Sequence, residues 1–127
     1  MLSAPSIDYD LVTDVRDDHL AARVRAIGIS PQMAEGFLRE IRQALAGERL
    51  GHLLLEFELA HALSDAEVFE VMRTFSSMMP GLKIAIVNRD ARHHLSLQFG
   101  MQISQEFGQD YRYFTDAGAA QQWLTGS

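Results

Sequence analysis

Two short segments of this chain, residues 52–57 and 82–87, consist almost entirely of apolar side chains. Strands that are apolar on both faces are typical of sheets that helices cover on both sides, and such sheets are mostly parallel. Parallel neighbours need long crossovers, which are usually helices. The two segments therefore predict the α/β class, with strands and helices alternating in the second part of the chain. The predicted elements there are strands at about 52–58, 82–87 and 111–115 and helices at about 65–79, 91–106 and 117–124.

The first part of the chain follows a different pattern, in which apolar and polar residues alternate over about 6–15 and again over about 20–27. Alternation is typical of a half-buried strand, and the turn-type residues between the two segments predict a β-hairpin. If the turn centres on residues 17–18, Asp10 lies opposite Arg25. One face of the hairpin is then apolar and the other has complementary charges. The hairpin completes a mixed, mostly parallel sheet of five strands.

Capping residues mark the ends of the first two helices. Ser30 followed by Pro31 predicts the start of a helix over about 31–46, because serine is a good N-cap and proline is tolerated in the first turn. We expect Gly47 to end this helix. Ser64 opens the sequence Ser-Asp-Ala-Glu, a capping box that predicts the start of the second helix.

The stretch at about 91–106 fits two patterns. Its apolar residues alternate as in a strand, yet Leu95, Phe99 and Ile103 are also spaced four apart, as in a helix. Leucine, glutamine and methionine favour helices, and the two flanking parallel strands need a crossover between them. We therefore predict a helix, with Asp90 as its N-cap.

Composition limits the classes of protein to which the chain can belong. A length of 127 residues fits one domain, 1–127, and 47% apolar residues are ordinary for a globular protein. The absence of cysteine excludes disulfides, thiol nucleophiles and cysteine-ligated zinc. The net charge of −6 argues against nucleic-acid binding, which needs a basic surface. No apolar run reaches the ~20 residues of a membrane span. The first residues do not resemble a signal peptide, so we expect a cytoplasmic protein.

The second part of the chain resembles a known family. The resemblance rests on the strand Lys83–Val87 with the helix after it, on Tyr-Arg-Tyr-Phe-Thr-Asp ending at Asp116, and on Ala-Ala and Trp-Leu before residue 125. These residues resemble bacterial STAS-like proteins, relatives of the anti-sigma-factor antagonists that are grouped by fold with the CRAL-TRIO lipid-transfer domains. The resemblance covers about 52–124. It implies a mixed sheet flanked by helices, and a binding or regulatory module rather than a catalyst.

The resemblance also draws attention to Ser64. Anti-sigma-factor antagonists have an Asp-Ser-Ser-Gly-like turn before the corresponding helix, and a partner kinase phosphorylates a serine in that turn. The matching stretch here, 58–65, has Ser64 alone, without the Asp-Ser pair or the glycine. A phosphate at Ser64 would meet the N–H groups at the start of a helix, but a structural N-cap explains the same residues. Ser64 is therefore a candidate phosphosite whose alternative role is a cap.

The carboxyl ends of the parallel strands are the place where open α/β sheets gather ligands. Polar residues follow three of the predicted strands, and an Asn-Arg pair close to helix N-termini is able to hold an anion. The alternative interpretation is that these residues are solvated loop residues and helix caps. The candidate ligand-binding edge consists of Glu58, His61, Asn88, Arg89, Thr115 and Asp116.

Sequence motifs of catalysis and of cofactor binding are lacking. No predicted helix contains a His-x-x-x-His or Glu-x-x-His pair, so we expect no metal site, and we interpret the five histidines as surface or edge residues. The sequence has no Gly-x-Ser-x-Gly elbow and no phosphate-binding glycine loop. We therefore expect neither an enzyme nor a bound cofactor.

The remaining patterns concern partners. Five acidic residues lie among the first eighteen, and we interpret them as a solvated strand face next to Arg23 and Arg25. Together with the resemblance, the sequence predicts a binding or regulatory module whose unknown partner is a protein. The alternative is a carrier of a small apolar ligand or lipid, because methionine-rich surfaces line adaptable pockets. A homodimer is a further hypothesis, since two-fold dimers are the commonest oligomers.

Overall fold

Five strands form one mixed sheet in the computed structural model. The strands are β1 (Tyr9–Val15), β2 (Leu20–Ala26), β3 (His52–Leu59), β4 (Lys83–Val87) and β5 (Asp110–Phe114). They lie side by side in the order β1-β2-β3-β4-β5; β1 and β2 are antiparallel, and all later neighbours are parallel. This arrangement confirms the α/β class and the mixed, mostly parallel five-stranded sheet. The structure describes residues 9–61, 63–88, 98, 102 and 110–125.

Helices pack on both faces of this sheet. Those whose bounds the structure describes are α1 (Pro31–Glu48), α2 (Asp65–Met78) and α3 (Ala117–Leu124). Helices α1 and α2 pack on one face, where apolar side chains of β2, β3 and β4 form the main core around Phe37 and Phe75. Helix α3 covers part of the opposite face, where Leu124 packs with Ala85 and Val87. Strand β4 is therefore buried on both sides, as its continuous apolar sequence predicts.

The register of the N-terminal hairpin is the one that the sequence predicts. Val15 pairs with Leu20 at the turn, and Asp10 lies opposite Arg25. The ion pair of Arg25, however, runs to Glu58 on β3, with Nε 3.2 Å from Oε2. The arginine side chains of β2 therefore interact with Glu58 of β3, the neighbour of β2 on the side away from β1.

Helices α1, α2 and α3 each begin at an N-cap, and those of α1 and α2 are the ones that the sequence predicts. The N–H of Met33 donates to Ser30 Oγ at 3.2 Å, and Pro31 opens α1. Ser64 forms a complete capping box at the start of α2. Asp116 accepts a hydrogen bond from the first turn of α3. Local sequence thus defines where each helix starts.

The end of α1 differs from the prediction, because the helix continues past Gly47 to Glu48. Arg49 then adopts a left-handed conformation, with φ of 56°, and its N–H donates to the carbonyl of Ala46. The N–H of Leu50 donates to the carbonyl of Leu45 at 2.9 Å. This pair of hydrogen bonds is a Schellman motif.

Two sequence predictions fall outside the described residues. The stretch at about 91–106 lies outside them except for Gln98 and Gln102, which are helical and exposed. Its predicted cap Asp90 and residues 6–8 of the first strand also lie outside. Within the described part of the chain, no helix is both long enough and apolar enough to cross a membrane.

Candidate functional site

The predicted ligand-binding edge lies at the carboxyl ends of β3, β4 and β5, but its described residues do not converge on one point. Asn88 follows β4 and is 2% exposed, on the side of the sheet that faces α2. Its N–H donates to the carbonyl of Phe114, and its own carbonyl accepts from the Tyr113 hydroxyl, both at 3.1 Å. Glu58 lies on the opposite face, where it pairs with Arg25. Asn88 therefore joins the ends of β4 and β5, and Glu58 belongs to a different surface.

His61, Thr115 and Asp116, which belong to the same edge, are exposed. The N–H of His61 donates to the carbonyl of Ile27 at 2.8 Å, which ties the end of β3 to the end of β2. Asp116 caps α3, with Oδ2 accepting an N–H at 2.8 Å, and Thr115 lies exposed before it. Arg89 lies outside the described residues. His61 and Thr115 are thus loop residues and Asp116 is a helix cap, as the alternative interpretation predicts.

A small apolar cavity lies between α2 and the sheet, next to Asn88. Side chains of α2 and of the ends of β3 and β4 line it, among them Phe57, Met72 and Phe75. Its volume is about 20 Å³, enough for roughly one water molecule. Sites for drug-sized ligands occupy about 300–1,000 Å³. A lipid would therefore fit only if α2 moved away from the sheet.

The Ser64 hydroxyl is exposed and caps α2. Ser64 Oγ accepts the N–H of Glu67 at 3.2 Å, and Glu67 Oε1 accepts the N–H of Ser64 at 2.8 Å. The pKa of Glu67 lies below its usual value. The main cause is the hydrogen bond from the Ser64 backbone, and the interaction with the Ser64 side chain adds to it. The predicted cap is confirmed, and phosphorylation of Ser64 stays a prediction.

Two buried polar side chains were missed by sequence reasoning. His19 is only 1% exposed, so the interpretation of the histidines as surface or edge residues is wrong for this one. Its Nδ1 lies 2.7 Å from Asp18 Oδ1, and this hydrogen bond lowers the pKa of Asp18. Its Nε2 has no hydrogen-bond partner among the described residues. Tyr111 is 2% exposed, and the alternation of tyrosine and arginine in β5 could have indicated its inward direction.

An exposed area of the sheet lies beside α3. Helix α3 contacts β3, β4 and β5, and in the described part of the chain no helix covers β1 and β2 on this face. Val12 is 62% exposed there, and Ile27, just after β2, is 65% exposed. We call this area the open surface, and it comprises Asp10, Val12, Asp14, Arg23, Arg25 and Ile27. Sequence reasoning identified its charges as a solvated face but not its exposed apolar residues.

Comparison with known proteins adds no assignment to this geometry. No protein-family model matches the chain, and no curated protein matches it significantly. Among the residues that the structure describes, no three His, Asp or Glu side chains are arranged to hold a metal ion. The open surface, the small cavity and the capped serine are the features on which a function can be argued.

Proposed function

We propose that this chain is a cytoplasmic, non-catalytic module of the STAS-like type that binds another protein through the open surface. The observation that carries the proposal is the exposure of Val12 and Ile27 on the β1–β2 part of a sheet face, which no described helix covers. Val12 pairs with Arg23, and Ile27 follows Arg25 by two residues. Apolar residues therefore lie on both sides of a pair of arginines, and exposed apolar area rimmed by polar residues marks many protein–protein contact sites.

The charged side chains of the open surface contribute little to the stability of the fold and are exposed to a binding partner. Arg23 and Arg25 share one carboxylate, that of Glu58, at 3.7 and 3.2 Å. All three side chains are about half exposed or more, and exposed ion pairs contribute only about 0–1 kcal/mol. Such charges are available to a partner, whose approach they would steer.

Site-specific photo-crosslinking in cells that make the chain tests this proposal. A photoreactive amino acid at Val12 should crosslink to one other protein, and the same group at Phe69 should not. Phe69 is the matched control because it is an exposed apolar residue on α2. The double variant Val12→Glu with Ile27→Glu should fold normally and fail to bind the crosslinked protein. Equal crosslinking at both positions would contradict the proposal.

A second candidate function, the binding of a small apolar molecule, rests on the apolar lining of the cavity and requires α2 to move away from the sheet. Its lining contains the flexible side chain of Met72, and methionine adapts readily to different ligands. Native mass spectrometry of the purified chain should then show a bound lipid. The variant Val71→Ile, which adds one methylene group to the lining of the cavity, should reduce that mass. A purified wild-type chain that is folded and carries no extra mass would contradict this second function.

A further inference from the structure

Strand β1 is a terminal strand of the sheet, so one of its edges has no strand neighbour among the described residues. The N–H of Arg16 donates to the carbonyl of His19 at 2.9 Å, which makes these two residues a hydrogen-bonded pair of the hairpin. Hydrogen-bonded and non-hydrogen-bonded pairs alternate along an antiparallel ladder. Leu11, Thr13 and Val15 therefore direct their N–H and C=O groups away from β2, toward the open edge.

The side chains along this edge have two distinct characters. Asp10, Val12 and Asp14 are exposed on the face of the open surface. On the other face, Thr13 and Val15 are exposed and Leu11 is half-buried. Asp14 Oδ2 pairs with Arg16 Nε at 2.6 Å. Because both side chains are about half exposed or more, a cation of a bound partner can replace Arg16 beside Asp14. The edge is thus acidic on one face and mainly apolar on the other.

A second copy of the chain fits this edge poorly. The antiparallel register that pairs all seven residues of β1 with its copy is centred on Val12. In that register Asp10 of each chain lies opposite Asp14 of the other, and like charges directly opposite are destabilising. Charged residues on an edge strand prevent such self-pairing. The same two carboxylates attract a strand of opposite charge.

We propose that β1 accepts a basic, extended segment of the partner protein as a sixth strand of the sheet. The main chain of that segment hydrogen-bonds to Leu11, Thr13 and Val15. Its lysine or arginine side chains lie next to Asp10 and Asp14, and its alternate apolar side chains lie on the other face. Strand addition of this kind draws affinity from the main chain and specificity from alternate side chains. The inference rests on the proposed function and names the chemistry of the partner.

Fluorescence anisotropy with synthetic peptides tests the charge requirement. The probe is a labelled seven-residue peptide of alternating lysine and valine, and its control has glutamate in place of lysine. The basic peptide should bind with an affinity that falls as salt rises, and the acidic peptide should not bind. Asp10→Asn with Asp14→Asn should weaken binding by about two- to thirtyfold, because each exposed charge pair is worth about 0.2–1 kcal/mol. Glu35→Gln with Glu70→Gln removes two charges elsewhere and should change little.

A proline substitution tests the requirement for the edge itself. Thr13→Pro removes an N–H that points away from β2, so the hairpin should survive, as prolines do on edge strands. Binding of the basic peptide should be lost, whereas Thr13→Val, which keeps the N–H, should retain it. Circular dichroism reports whether each variant folds. If Thr13→Pro does not fold, the double asparagine variant and the acidic peptide still decide the result.

Several results would overturn the inference. Equal binding of the two peptides, no binding of the basic peptide at millimolar concentration, or full binding by folded Thr13→Pro would each do so. A stable dimer joined through β1 would mean that the occupant is a second copy. If Val12 crosslinks to a partner while the basic peptide fails to bind, strand addition is wrong and the proposed function stands. If neither occurs, both are wrong.

Discussion

The phenol of Tyr111 joins the last strand of the sheet to the end of α2. Its hydroxyl lies 3.1 Å from the carbonyl of Phe75 and 3.0 Å from that of Met79, to which it donates. The Phe75 carbonyl also accepts the N–H of Met79, so the phenol matters most for the Met79 carbonyl. Tyr111→Phe removes this hydroxyl and keeps the ring, so it creates almost no cavity.

The cost follows from the burial of these groups. A neutral hydrogen bond contributes about 0.5–1.5 kcal/mol, and a buried carbonyl left without a donor costs about 1–3 kcal/mol. We expect Tyr111→Phe to lower the free energy of unfolding by about 1–3 kcal/mol, and Tm by roughly 4–12 °C for a domain of this size. The matched control is Tyr9→Phe. The Tyr9 hydroxyl donates to Glu40 at an exposed position, so its loss should cost about 0.5 kcal/mol or less.

Urea titration at neutral pH measures both variants, and an alkaline series adds an independent check. Burial raises the pKa of Tyr111 above its ordinary value of 10.0. Above pH 10 the unfolded state therefore loses the proton before the folded state does, and the free energy of unfolding falls as pH rises. The gap between wild type and Tyr111→Phe should shrink there. Equal losses for Tyr111→Phe and Tyr9→Phe at neutral pH would refute the reasoning.

Three further predictions concern helix ends. Arg49→Gly should raise the free energy of unfolding by about 1 kcal/mol in urea titration, because glycine adopts a positive φ without steric cost; Arg49→Ala, which keeps the Cβ, should give no such gain. Ser64→Ala should cost about 0.5–2 kcal/mol by thermal unfolding, whereas Ser64→Asp, another good N-cap, should stay close to wild type. The lowered pKa of Glu67 means that its contribution to stability is present above about pH 4.5 and is lost as pH falls. Glu67→Gln should therefore make stability less dependent on pH in acid, and an unchanged acid profile would contradict the capping box as its cause.

The register of the hairpin was predictable because its information is local. A shift by one residue would move Tyr9, Leu11 and Val15 of β1 to the charged face. The register in which Asp10 lies opposite Arg25 places apolar side chains together on one face and complementary charges together on the other. The capped starts of α1 and α2 were predictable for the same reason, since the residues that make each cap lie within one turn of one another.

The end of α1 shows where local information fails. Gly47 is the better residue for a left-handed turn, yet the turn occurs at Arg49. In a Schellman motif the residue after the turn packs against the last turn of the helix. At Arg49 that residue is Leu50, which packs against the core that includes Leu45; at Gly47 it would be Glu48. The burial of Leu50 therefore favours the turn at Arg49 over a turn at Gly47. Because this gain depends on the core against which Leu50 packs, the sequence near the end of α1 does not indicate it.

By itself, the sequence determined the α/β class, the hairpin register and the helix starts, because each depends on residues close together in the chain. Only the tertiary structure decided which strand-end residues share a surface. Strand β4 is apolar on both faces, so its sequence does not indicate that Asn88 faces α2 while Glu58 on β3 faces the opposite side. On the face of α3, likewise, the described helices do not reach β1 and β2. Exposure depends on what packs from elsewhere in the chain, and for that reason the open surface became visible only in the folded molecule.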